Sequence, residues 1–230
     1  MVTTTTYGAT RDRVEDYFDR TATKTWERLT SDAPVSGIRQ TVREGRDQMR
    51  AIMLGCLPQD LSGKRILDAG CGAGQLTAEL AARGAEVVAI DISPQLVEIA
   101  RKRMPEHLAD QVSFASGDML SEELGRFDHV MAMDSMIYYE ADDLGRALAH
   151  LCPRVASSII FTVAPRTPFL MAFFGLGKLF PRSDRSPTMI PHTLRKLSQK
   201  TSLNGALGTI NEVERVSRGF YISTCLEYAR

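Results

Sequence analysis

No two of the four cysteines, Cys56, Cys71, Cys152 and Cys225, stand closer than fifteen residues, and none forms a C-x-x-C pair. That spacing suggests neither a zinc cluster nor a disulfide framework, and it predicts four reduced thiols, as in the cytoplasm. Net charge is absent too. With 28 basic and 28 acidic side chains, no global field draws the chain toward nucleic acid. The first ten residues lack the charged stretch and apolar run of a secretory leader, and residues 1–10 read as a flexible tail. Nor is there a membrane-spanning run. The most apolar late segment, residues 167–180, is 14 residues long with Lys178 inside it, where about 20 apolar residues are needed.

What is present is less uniform than the net charge suggests. Between Ala164 and Lys200 seven basic residues (Arg166, Lys178, Arg182, Arg185, Arg195, Lys196, Lys200) stand against one acid, Asp184, leaving +6 there and −6 elsewhere. A local basic face suits an anionic small molecule or a membrane surface. The 230 residues, 43% of them hydrophobic, suffice for one large core with extensions.

Residues 11–29 and 39–57 carry apolar side chains at helical spacing, and Pro58 ends the second run; residues 11–61 are expected to form an N-terminal helical arm. From residue 64 short Val/Ile/Leu/Ala-rich strands alternate with helices, the pattern of a parallel sheet covered on both faces. Strands are expected at 64–69, 85–91, 111–115, 127–133 and 157–163, and an antiparallel pair at 211–218 and 220–228. The predicted fold is α/β: a doubly wound, mostly parallel seven-stranded sheet. It divides into a cofactor-binding core (62–164), a lid insertion (165–206) and closing strands (207–230).

The turn "LDAGCGAGQL" joins the first strand to the first helix of the core. Gly70, Gly72 and Gly74 allow backbone to approach a ligand at a helix N-terminus. Gln75 stands where a dinucleotide site would want another glycine. Asp68 before the turn repels a pyrophosphate and welcomes an ammonium group. Asp91 ends the second strand, seventeen residues past Gly74, and suits ribose hydroxyls. Asp118 and Met119 follow the third strand, where they can bracket an adenine. The ligand implied is cationic, carries ribose and adenine, and lacks phosphate; S-adenosylmethionine fits. Over residues 62–164 the chain resembles the class I S-adenosylmethionine-dependent methyltransferases. The resemblance implies a cofactor site of Asp68, Gly70, Cys71, Gly72, Gly74, Gln75, Asp91, Ile92, Ser93, Asp118, Met119, Met133 and Asp134.

The flanks narrow the acceptor. "DYFDRTATKTWERL" (16–29), "VREGRDQM" (42–49), "MDSMIYY" (133–139) and "FPRSDRSP" (180–187) resemble the magnesium-protoporphyrin IX O-methyltransferases of bacteriochlorophyll synthesis. The resemblance implies methyl transfer to a propionate of magnesium protoporphyrin IX. It also implies docking on the magnesium chelatase, while the apolar, basic lid suggests peripheral contact with the photosynthetic membrane. Magnesium arrives within the substrate, so no protein metal site is expected. Tyr17, Tyr138 and Tyr139 are the candidate catalytic residues, with Tyr138 standing where relatives commonly carry histidine. Arg43, Arg46, Phe173, Phe174, Arg182 and Arg185 are candidates for the substrate. His192 is expected to be exposed or at a helix cap, with axial ligation of the porphyrin magnesium as the alternative. Two rival readings stay open here: methylation of a prenylated quinone precursor or other apolar acid, and a porphyrin carrier that keeps a relict cofactor pocket.

Overall fold

The computed structural model describes residues 6–19, 30, 37–167 and 187–229. Helix α1 spans Thr6–Tyr17 and α2 spans Gly37–Gly55. Five parallel strands follow: β1 (Arg65–Ala69), β2 (Glu86–Asp91), β3 (Val112–Ser116), β4 (Phe127–Ala132) and β5 (Val155–Val163). Between them lie α3 (Gln75–Ala82), α4 (Pro94–Arg103) and α5 (Ala141–Leu151). Helix α6 (Leu194–Leu203) precedes β6 (Thr209–Arg218) and β7 (Tyr221–Ala229). The strand order is β3-β2-β1-β4-β5-β7-β6, with β7 antiparallel to both neighbours. This is the class I methyltransferase sheet, as expected from the alternation of strands and helices.

Two apolar layers enclose the sheet. On one face α2 and α3 bury Met49, Met53, Leu54 and Leu80 against Ile66, Val87, Met131 and Cys225. On the other, α5 and α6 bury Leu144, Leu148 and Leu197 against Val130, Ile159 and Phe161. Truncating one of the leucines, isoleucines or methionines of these layers to alanine costs about 2–5 kcal/mol, because the lost transfer energy adds to the cavity left behind.

Two boundaries differ from those read in the sequence. The flexible tail expected over 1–10 is helical from Thr6 onward. Its threonines and glycine are weak helix formers, but tertiary contacts override propensity: Thr6 Oγ1 donates to the buried carboxylate of Asp143 at 2.7 and 2.9 Å, and Tyr7 packs on the main core. The lid expected over 165–206 also shrinks, because α6 is a crossover helix packed on α5 with Leu197 fully buried. Residues 168–186, with Phe173, Phe174, Arg182 and Arg185, lie outside the described residues.

Candidate active site

The β1–α3 turn is shaped by what faces it. Gly70 has φ +89°, and a Cβ there would sit 2.3 Å from Ser135 Cβ, so only glycine fits beneath the loop after β4. Ser135 closes that contact by donating its hydroxyl to Ala69 O at 2.6 Å. The turn opens into a cleft at the carboxyl ends of β1, β2, β3 and β4, where open α/β sheets bind their ligands.

Among the described residues four carboxylates line this cleft, and three of them, Asp68, Asp91 and Asp118, stand at the ends of β1, β2 and β3. Asp68 is 1% exposed, accepts from Thr77 Oγ1 at 2.6 Å, and among the described residues pairs with no basic group. Burial pushes it up to about 7; Asp91 adds to the rise and Thr77 opposes it. A carboxyl so placed gains most from a cationic ligand. Asp91 accepts from Gly72 N at 2.8 Å and Ser93 N at 2.9 Å, one bond to each oxygen. Each oxygen keeps a lone pair for a hydroxyl, and burial raises this carboxyl as well. Asp118 accepts from Leu120 N at 2.9 Å, Tyr7 Oη at 2.8 Å and Arg11 Nη1 at 3.1 Å, so α1 is tied directly to the expected adenine end.

Among the sequence-derived candidates, the cleft is lined by Asp68, Gly70, Cys71, Gly72, Gln75, Asp91, Ile92, Asp118, Met119, Met133, Asp134, Arg46, Tyr138 and Tyr139. Others serve from outside it. Gly74 is the left-handed N-cap of α3, and Ser93 caps α4 through Leu96 N while its own amide holds Asp91. Tyr17 packs edge-on against the cleft residue Phe18, with ring centroids 5.2 Å apart. Arg43 lies outside the lining, and Arg50, one helical turn beyond Arg46, lines it instead. His192 is neither exposed nor a cap: it is 5% exposed, and its Nε2 donates to Tyr139 O at 2.9 Å, so it braces the loop after β4. Tyr7, Arg11 and Arg50 line the cleft without having been marked by any sequence motif, although Arg50 continues the arginine stripe of α2.

The side chains sort by charge. Arg50 bonds Glu79 of α3, the helix that follows the glycine turn, and lines the cleft from that side. Arg46 pairs with Asp134, whose other oxygen accepts from Tyr221 Oη at 3.0 Å and Thr162 Oγ1 at 3.2 Å. Burial raises the Tyr138 phenol above its ordinary range, with Asp134 adding and Arg46 opposing, so its hydroxyl is a neutral donor and not a base. Cys71 is likewise held as a thiol by burial, reinforced by the two neighbouring carboxylates, which excludes it as a nucleophile. The arrangement can hold a cationic nucleoside in a fixed pose and present a second, anionic group to it.

Residues 66–157 match the methyltransferase domain family, and residues 132–230 match the family described as magnesium-protoporphyrin IX methyltransferase C-terminus. The magnesium-protoporphyrin O-methyltransferase of Rhodobacter capsulatus is 60% identical over 223 residues, covering 96% of this chain and 97% of that one. A ubiquinone biosynthesis O-methyltransferase of Xanthomonas oryzae is 35% identical over 134 residues, 54% of each chain. The crystal structure of magnesium protoporphyrin IX methyltransferase from Synechocystis with bound SAH superposes with a TM-score of 0.80 at 29% identity, covering 96% of this chain and 99% of that one. With that full-length identity added to the cleft and its carboxylates, the chain belongs to the magnesium-protoporphyrin O-methyltransferase family.

Proposed function

We propose that the cleft transfers a methyl group from S-adenosylmethionine to a propionate carboxylate of magnesium protoporphyrin IX, giving the monomethyl ester. The observation that carries this reading is the 60% identity over 96% of the chain, against 35% over 54% of the chain for the quinone enzyme. The complete set of Asp68, Asp91 and Asp118 around an open cleft argues against a carrier with a relict pocket.

Bound S-adenosylmethionine supplies an electrophilic sulfonium methyl. Asp68 takes its ammonium group, and the placement of Arg50 suits its carboxylate. Asp91 receives the ribose hydroxyls, and Asp118 and Met119 flank the adenine. A propionate is already ionised at neutral pH, with a pKa of about 4–5, so the protein needs no strong base. Its residues have two tasks instead: to align the carboxylate and to keep water out. Arg46 offers a charged fork and Tyr138 a neutral hydroxyl at one side of the cleft, while Val14, Phe18, Leu96 and Met133 give it apolar wall. Attack by a carboxylate on a sulfonium methyl annihilates charge, so a dry, shaped site accelerates it over water.

Contact with a membrane surface is supported by the basic, apolar composition of residues 164–200; no helix among the described residues is long and apolar enough to cross a membrane. Docking on the magnesium chelatase rests on the pathway that the resemblance implies. Phe173, Phe174, Arg182 and Arg185 remain proposed for the macrocycle and its carboxylates on composition. Side-by-side assays with magnesium protoporphyrin IX and prenylated quinone precursors test the acceptor: turnover of the porphyrin alone supports the proposal, and preference for the quinone overturns it.

A further inference from the structure

Arg46, Asp134 and Tyr221 meet from three distant parts of the chain. Arg46 comes from α2, Asp134 follows β4, and Tyr221 opens β7. Tyr221 does not line the cleft, yet its hydroxyl donates to Asp134 Oδ1 at 3.0 Å while Arg46 holds Oδ2. The Arg46 and Asp134 side chains are 15% and 10% exposed, so this ion pair is shielded from solvent. Asp134 adopts φ +56°, a left-handed conformation that is costly for a residue with a side chain. Thr162 secures it, accepting from Asp134 N at 2.8 Å and donating to its carboxylate at 3.2 Å.

Packing fixes the same group from below. Gly45 lies so close to Tyr221 that a Cβ on it would come within 2.7 Å of the tyrosine Cβ and Cδ1. The backbone beside Arg46 therefore rests on the Tyr221 ring. The ring sets the height of α2, and the hydroxyl sets the carboxylate to which the guanidinium is bound. Burial, reinforced by Asp134, keeps the phenol protonated and hence a donor.

We propose that Tyr221 is a positioning residue for the acceptor: through Asp134 it fixes the Arg46 guanidinium in the cleft, where that cation receives the substrate carboxylate. The inference rests on the methyl-transfer reading above and adds a residue outside the cleft to it. It also gives Asp134 a part distinct from cofactor binding.

The test uses the full chain and reads binding separately from turnover. Tyr221→Phe keeps the ring under Gly45 and removes only the donor. It should weaken binding of magnesium protoporphyrin IX, followed by its fluorescence, by about threefold to tenfold, less than the full worth of a hydrogen bond to a charged partner because this bond acts on the substrate only through Asp134 and Arg46. Affinity for S-adenosylmethionine should stay within about twofold, since that contact lies elsewhere. Made in an Arg46→Gln background, the same change should have almost no further effect on porphyrin binding. Should that background fail to fold, Asp134→Asn replaces it with the same expectation. Equal loss in both backgrounds, unchanged porphyrin affinity, or parallel loss of both ligands would overturn the proposal. A wild-type protein that binds the porphyrin but forms no ester would instead refute the methyl-transfer reading.

Discussion

The ring of Tyr7 lies on that of Tyr139 with centroids 4.7 Å apart and planes 19° from parallel, while its hydroxyl donates to Asp118 at 2.8 Å. One residue of α1 thus joins the loop after β4 to the acid after β3. Tyr7→Phe should weaken S-adenosylmethionine by a few fold. Tyr7→Ala, which loses the stack as well, should weaken it by about tenfold or more, since an aromatic pair and a hydrogen bond each contribute roughly 0.5–1.5 kcal/mol. Titration calorimetry reads both, and unchanged affinity in the alanine variant would place α1 outside cofactor binding.

Asp68 makes cofactor binding depend on pH. Its carboxyl, raised from 3.8 to about 7 chiefly by burial, must be ionised to hold an ammonium group. Affinity for S-adenosylmethionine should therefore rise between pH 6 and pH 8, approaching about tenfold per pH unit on the acid side. In the protein without cofactor the sign is opposite. A carboxyl with a raised folded value contributes stability that is complete below its unfolded value and is lost as pH rises through about 7. Asp68→Asn should consequently unfold at a higher temperature than wild type at pH 8, by a difference of roughly 2–4 kcal/mol, while losing cofactor affinity. Thermal denaturation with and without cofactor separates these effects; an Asp68→Asn variant less stable at pH 8 would contradict the account.

Tyr138 should act as a donor throughout the neutral range. Tyr138→Phe should lower kcat by about tenfold to a hundredfold, at or below the hundredfold to thousandfold that loss of one donor to a developing oxyanion costs. Tyr138→His should retain activity but acquire a new pH break near the ordinary imidazole value of about 6.5. A wild-type profile with a phenol-like break below pH 9 would count against the neutral donor.

Gly70→Ala should damage fold and cofactor site together. It adds a Cβ 2.3 Å from Ser135 Cβ at φ +89°, and left-handed strain alone costs about 1–3 kcal/mol. A thermal midpoint equal to that of wild type would show that the β1–α3 turn and the Ser135 loop move apart without penalty.

The donor half of the site was legible in the sequence because it is local. Gly70, Gly72, Asp68, Asp91 and Asp118 sit at strand ends whose spacing the chain itself declares, and the carboxylates of Asp91 and Asp118 each accept from a main-chain amide two residues on. The acceptor half depends on long-range packing. Arg43, Arg46 and Arg50 form one stripe along α2, and only the docking of Met49 and Met53 decides that the stripe meets the cleft at 46 and 50. Tyr221 contacts a residue 87 positions away and left no pattern around it. Tyr7 was hidden in a threonine-rich start whose helicity comes from Tyr139, Asp118 and Asp143. His192 read as a surface or ligand residue because nothing nearby announces its partner, Tyr139 O, 53 positions back.

The central claim is the identity of the methyl acceptor. Incubation of the protein with S-adenosylmethionine carrying a labelled methyl group and with magnesium protoporphyrin IX tests it most directly. The account predicts that one label per porphyrin appears as an ester on a propionate, removable by mild base, and that Arg46→Gln slows its appearance. Label on a ring carbon, on a quinone precursor in preference, or nowhere on the porphyrin would contradict it.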